Sequence, residues 1–446
     1  MLARSPCAPG PYAIKINVHH HDTDQFCCHT DSVPLHVNQS CAMHDVNFIL
    51  REALLDPGMK VLGYELSWQN ADGYLSQPSE LDLQSMAAFA GERFRHPERG
   101  YLMDGTTLFV GATPETLRSG VLDNLSGKDT VLTIQRSDLG DATAIDDIKA
   151  ARAAGFGILL RDAAFANGDK NLLPLVSHIE VRFGSSDFAA QARSFTAMKQ
   201  SNVRVISRGV HSWQDFDACA ALGLDSFVGN LYLTTRPGIE TKGLNAAQTM
   251  ILQLMDMVRK NADVRQLEGV LKRDAALSYK LLRYINSAGF GLGTEIQSLR
   301  HAVTMLGYSP LYRWLSVLLA TASTGAHSPM LMQTAIVRGR FAELLGQSFL
   351  PRAEAENLFV AGMFSLLDRL LGIPMEEVLD NIQLSEPIAQ ALLTRDGIYG
   401  PFLALAEACE KDNGAAGPLA DSLFISASQV NEAHLTALVW AQSLKA

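Results

Sequence analysis

Long hydrophobic runs are missing from this 446-residue chain. No stretch reaches the roughly 18 consecutive apolar residues that a membrane-spanning helix needs. The first 40 residues contain no apolar core of signal-peptide type. Cysteine is scarce and poorly spaced for a disulfide framework. Of the six, Cys7, Cys27, Cys28 and Cys41 crowd one end, while Cys219 and Cys409 stand alone in helical patterns. Reduced thiols in a cytoplasmic protein are the expectation. Positive charge is short as well. The 37 Lys and Arg face 47 Asp and Glu, a net charge of −10, which argues against a general binder of nucleic acid or of anionic membranes. Apolar residues are plentiful, at 47% against 19% charged, so sizeable cores can form. The length predicts two or three domains.

Residues 1–42 sustain neither a helical nor a strand period. His19, His20, His21, Cys27, Cys28, His29, His36 and Cys41 are of metal-ligating type, but their spacings form no clean Cys-x-x-Cys and His pair. A disordered extension, or sequence upstream of a true start at Met43, is the expectation for this segment. From Val46 onward, apolar β-branched runs alternate with helical stretches. The runs are Val61–Leu66, Thr107–Val110, Val131–Ile134, Gly157–Leu160, Ile179–Phe183, Val203–Ile206 and Phe227–Leu233. The helices between them are Glu80–Phe94, Pro114–Leu122, Ala142–Ala154, Asp187–Lys199 and Ser212–Leu222. Strands spaced by helices predict parallel pairing with right-handed crossovers, and so many in succession predict a (β/α)8-type barrel. Seven strands are legible and the eighth is not.

After residue 240 the period is helical throughout. Leu277, Leu281, Leu282 and Ile285 mark one helix face, and Leu299, Ala302, Val303 and Leu306 mark another. Ser298 is placed to cap the second of these and Gly307 to end it; Ser309-Pro310 is placed to open a third. Gly289, Gly291 and Gly293 follow a helix instead of joining a strand to one, so they read as a stop and loop, not a phosphate cradle. Further helices are expected over Met330–Gln347, Glu354–Arg369 and Ala420–Leu444, with a turn at Asp412–Pro418. The fold class is therefore α/β plus all-α, with an N-terminal segment at 1–42, a barrel at 43–240 and a helical bundle at 241–446.

Both halves resemble known modules. The order LLRYINSAG … IQSLRHAVTMLG, followed by LFVAGMFSLLDRLLGIPMEEVL (Leu358–Leu379), resembles the HDOD module, a helical relative of the HD-type phosphohydrolases that lacks their metal-binding His-Asp pair. VLGYELSW (Val61–Trp68), LLPLVSHIEVRF (Leu172–Phe183) and RGVHSWQDFDACAALGLDSFVGNLY (Arg208–Tyr232) resemble, in order, elements of the EAL barrel that hydrolyses cyclic di-GMP. The composite resembles bacterial signalling proteins of the YuxH type, which join the two.

The resemblance also implies what the chemistry would require. An EAL phosphodiesterase holds two divalent cations with carboxylates at the strand ends, and the cations clamp the phosphate and acidify the attacking water. Here the first-strand acid remains as Glu65, and Asp162 remains beside Arg161. Gly111 and Thr133 stand where the family has Asn and Glu. Glu180 and Arg182 replace a lysine and an aspartate, Arg208 and His211 replace two acids, and Val228 replaces a glutamine. Cations at such positions repel metals. The implied protein is catalytically inactive, without metal or other cofactor, and acts through protein–protein contacts. A non-hydrolysing cyclic di-GMP receptor is the alternative and a residual phosphodiesterase the second alternative. Gln69 at a place where the family often has arginine implies weak cyclic di-GMP binding at most. Arg161, Arg182 and Arg208 are candidates for anion binding, or else for salt bridges to Glu65, Asp162 or Glu180. Asn286, Ser287, Phe290 and Leu292 form a candidate interaction loop in the bundle.

Overall fold

The computed structural model describes residues 47–69, 78–96, 100–103, 105–140, 142–162, 172–185, 188–197, 202–224, 226–234, 236, 244–286, 296, 298–322, 328–382, 384–411 and 413–444. The 1–42 segment, and with it the His/Cys candidates, lies outside them.

Eight described strands close a barrel: β1 (Phe48–Leu55), β2 (Val61–Gln69), β3 (Thr107–Gly111), β4 (Thr130–Gln135), β5 (Gly157–Arg161), β6 (His178–Arg182), β7 (Arg204–Arg208) and β8 (Ser226–Val228). From β2 through β8 the neighbours are parallel, as the alternating helices imply. The illegible strand is β1, and it departs from the expected pairing. It runs antiparallel to both β2 and β8, with Glu52 opposite Glu65 and Leu54 opposite Val228. Its sequence, FILREALL, hides its nature because seven of its eight residues are buried, so no in–out alternation is written. Inside, Leu54 joins Phe109, Val131, Leu159, Ile206 and Val228 in a plug of apolar side chains. Outside, Ile49 and Arg51 face the C-terminal helices.

Five helices cover the barrel: α1 (Glu80–Phe94), α2 (Pro114–Arg118), α3 (Ala142–Ala153), α4 (Phe188–Ala197) and α5 (Trp213–Ala221). Capping boxes begin α1 at Ser79, α2 at Thr113 and α5 at Ser212, where each side chain accepts the N3 backbone N–H. The final run expected as strand ends at Val228, and Leu231–Leu233 forms a 3-10 turn.

The helical region starts with α6 (Ala246–Arg259), α7 (Val264–Leu271), α8 (Ala275–Ile285), α9 (Leu299–Leu306) and α10 (Tyr308–Thr321). It continues through α11 (Ser328–Gly346), α12 (Arg352–Phe364), α13 (Leu367–Leu371), α14 (Met375–Asn381) and α15 (Glu386–Thr394). It closes with α16 (Gly400–Ala408), α17 (Ala416–Ser422) and α18 (Ala427–Ser443). Ser298 caps α9 and Gly307, at a φ of 82°, ends it. That left-handed turn leads straight into α10 at Tyr308, two residues earlier than Ser309-Pro310 suggests, and the Ser309 hydroxyl donates to Glu356 instead of capping. The expected turn at Asp412–Pro418 is shorter too, since α17 begins at Ala416.

The tightest helix crossing is between α11 and α12. A Cβ added at Gly362 would lie 2.5 Å from the Gly339 Cα and 2.8 Å from the Arg338 carbonyl oxygen. Gly362→Ala is expected to cost about 1–3 kcal/mol by overpacking. A lower urea midpoint at unchanged slope is the expected readout; an unchanged midpoint would show that the crossing can open.

Sequence divides the chain near residue 240, but packing does not. One apolar cluster runs from the barrel's outer layer into the helices, and residues 39–446 form one compact unit. A buried polar chain crosses the seam. On β1, the Ile49 N–H donates to Asn431 at 2.8 Å, and the Arg51 Nε donates to His434 Nε2 at 3.2 Å. Arg51 also lies 3.7 Å from Glu410, which accepts from Arg338 at 2.6 and 3.2 Å. Arg338 reaches on to Ser365 at 2.8 Å and Glu407 at 3.0 Å. His434, held far below its ordinary pKa by burial and then by Arg51, is the neutral acceptor in this chain.

Candidate functional site

Side chains alternate along a strand, so residues two positions beyond the apolar plug again point inward. Counting on from Val131, Leu159 and Ile206 gives Thr133, Arg161 and Arg208, and counting back from Leu54 on antiparallel β1 gives Glu52. With Glu65 and Glu180 these side chains line the barrel mouth, at the C-terminal ends of the parallel strands.

They are already paired with one another. Arg161 donates from Nη2 to Glu65 Oε1 at 2.6 Å and from Nε to Glu180 Oε2 at 2.9 Å. Arg208 donates from Nε to Glu180 Oε2 at 2.8 Å, from Nη1 to Glu52 Oε2 at 2.6 Å and from Nη2 to the second Glu65 oxygen. Both Glu65 oxygens are therefore taken by guanidinium groups. Burial pushes the Glu65 carboxyl upward, but Arg208 and Arg161 together hold it below its ordinary range. Burial likewise works against the Arg208 charge, and Glu65, Glu52 and Glu180 overcome it to raise its pKa well above normal. Three carboxylates face two enclosed arginines. Arg182, 3.9 Å from Glu180 and 67% exposed, supplies the third positive charge at the rim.

A pair of divalent cations does not fit this donor set. The oxygens of Glu65 point at guanidinium nitrogens, and Glu180 Oε2 accepts from both arginines. Thr133 offers a buried hydroxyl and Gly111 offers nothing. A Cβ at Gly111 would lie 2.6 Å from a methyl of Leu83, so an α1 side chain leans into that place. Among the described residues no group of three or more His, Cys, Asp or Glu is arranged to hold a metal ion.

The remaining residues singled out from sequence fall elsewhere. Asp162 stands exposed at a φ of 55° directly after β5 and takes no part in the described network; of the three carboxylates named for salt bridges, Glu65 and Glu180 are the ones the arginines meet. Gln69 turns to the seam and donates to the Lys411 carbonyl at 2.6 Å. His211 is exposed at the start of α5, and Val228 belongs to the apolar plug. The Asn286 carboxamide donates to the Ile296 carbonyl at 2.8 Å and accepts its N–H at 2.7 Å, so it ties position 286 to position 296. Ser287, Phe290 and Leu292 lie outside the described residues. Glu52 is the site residue that sequence reading missed. Only its register opposite Glu65 reveals it, and that register belongs to the strand that carried no alternation.

The HDOD domain family matches residues 244–375. YuxH of Bacillus subtilis is 24% identical over 409 residues, covering 89% of this chain and 98% of that protein. The cyclic di-GMP phosphodiesterase CdgJ of Vibrio cholerae is 25% identical over 381 residues, covering 82% of this chain and 85% of that protein. Among solved structures, the phosphodiesterase PaMucR in complex with c-di-GMP gives a TM-score of 0.35 at 16% identity, covering 44% of this chain and 93% of that one. An EAL-domain protein from Listeria monocytogenes gives 0.34 at 11% identity, covering 45% and 92%. The two relatives thus extend over both the eight-stranded closed barrel and the helices behind it, and within those helices residues 244–375 match the HDOD domain family.

Proposed function

We propose that this is a regulatory protein related to cyclic di-GMP signalling whose barrel does not hydrolyse the dinucleotide and which acts through contacts with other proteins. The observation that carries the reading is the capture of both Glu65 oxygens by Arg161 and Arg208. A hydrolase would need those oxygens for cations, and the cations would meet two buried guanidinium groups in the same space. The substitutions are also mutually consistent. Arg208 bonds three carboxylates at once, so the mouth has been rebuilt as a closed ionic plug. Such a plug stiffens the barrel and leaves the helical region, whose C-terminal part packs on β1, as the working surface.

Purified full-length chain supplied with cyclic di-GMP and magnesium or manganese is expected to release no more product than the Glu65→Gln variant. Turnover in the parent chain that disappears in that variant would overturn the proposal. A receptor that binds without cleaving is the second reading, favoured by the exposed Arg182 guanidinium at the rim of the mouth. Saturable cyclic di-GMP binding that is lost in Arg182→Ala would select it.

A further inference from the structure

A third cluster of buried charge lies in the helical region, away from the barrel mouth and the seam, and it is not balanced. Glu343 on α11 is 3% exposed, and its two oxygens accept from Arg313 Nη1 and Arg340 Nη1, each at 2.8 Å. One carboxylate thus serves two arginines whose side chains are 17% and 21% exposed. Aromatic rings supply the rest of their surroundings. The Arg313 guanidinium lies 3.9 Å over the Phe359 ring and 5.0 Å from the Trp440 ring, and Arg340 lies 5.7 Å from Trp440. Ring faces attract a cation but carry no compensating charge.

These residues form one wall of a 510 Å³ cavity between α10, α11, α12 and α18, which Trp314, Trp440 and Arg352 also line. Arg352 is bonded to Glu356 at 3.1 Å, so that pair neutralises itself at the rim. The wall keeps one positive charge in excess. Its contrast with the other enclosed arginines is direct. Arg161, Arg208 and Arg338 have their pKa values raised by abundant carboxylates. Burial lowers that of Arg313, and Glu343, opposed by Arg340, does not make up the difference.

We propose that this cavity binds a small organic anion, with a phosphate or carboxylate group on Arg313 and Arg340 and a flat ring beside Trp440. Guanidinium groups match both headgroups bidentately, and the volume is that of a small-molecule site. The inference does not depend on what the barrel does.

Tryptophan fluorescence is the direct readout, because Trp314 and Trp440 line the cavity. Guanosine 5′-monophosphate and benzoate are the two probes, titrated to millimolar concentration; the tighter of the two identifies the headgroup. Arg340→Gln leaves the Arg313–Glu343 pair intact and is expected to weaken binding by about tenfold, the size of one charge-assisted hydrogen bond. Glu343→Gln removes the competing carboxylate and is expected to tighten binding. Thermal melts of each variant without probe confirm that it folds. If neither probe produces a saturable change, the proposal fails. It fails equally if the two folded variants do not shift affinity in opposite directions, since a purely structural cluster has no reason to separate them.

Discussion

Arg338→Leu is expected to destabilise the protein by about 3–5 kcal/mol, the cost of leaving a buried carboxylate without its main partner. Arg338 is 2% exposed and bonds Glu410, Glu407 and Ser365. Glu407 keeps Arg395, at 2.9 and 3.2 Å, so it is not stranded. Glu410 is. It is 3% exposed, and its remaining contact is Arg51 at 3.7 Å. The loss should therefore fall on the seam between β1 and the helices. Adding Glu410→Gln to Arg338→Leu removes the stranded charge and is expected to recover part of the lost stability. Chemical denaturation of the parent, the two single variants and the double variant measures this as a coupling energy. If the two substitutions add without coupling, the Arg338–Glu410 pair does not hold the seam.

Arg208→Met is expected to cost a similar amount at neutral pH, about 3–5 kcal/mol, because it takes one guanidinium from Glu52, Glu65 and Glu180 together. The pH dependence distinguishes this loss from a simple packing defect. In the parent chain the Glu65 carboxyl is held below its ordinary value of 4.5. Its contribution to stability is present above pH 4.5 and is lost as the pH falls through the lower folded value. In the variant, burial acts on Glu65 with only Arg161 to oppose it, and the folded pKa moves up. Between the variant's folded pKa and the parent's lower one, the variant takes up a proton that the parent does not, so the difference in stability shrinks as the pH falls. The deficit relative to the parent should therefore be large at pH 7 and narrow toward pH 4. Equal deficits at the two pH values would show that Arg208 acts by packing alone.

The stretches that resemble EAL and HDOD motifs were legible because their residues are contiguous. The turn glycine Gly307, the cap Ser298 and the alternation of strand with helix are written within a few positions of one another, and the structure places them as read. The arginines were equally plain, since Arg161, Arg182 and Arg208 are the last residues of their strands. What those arginines do was not plain. Sequence left them open between an anion site and salt bridges to Glu65, Asp162 or Glu180, and did not name Glu52. Strand register decides such questions, and the register of an antiparallel strand buried on both faces leaves no local period to read.

Sequence alone thus determined that strands alternating with helices come first and an all-helical region second, and which residue types stand at the strand ends. Local spacing is sufficient for that, because helix faces, caps and strand runs are properties of neighbouring residues. Only the tertiary structure decided that Glu65 has both oxygens occupied, that Glu52 completes the plug, and that barrel and helices share one interior. These contacts join residues far apart in the chain, such as Arg51 and His434, 383 positions from one another. A charge in sequence has a sign but no partner. Burial makes the partner matter, and only the closed barrel and the helices packed on β1 say which partner each charge has.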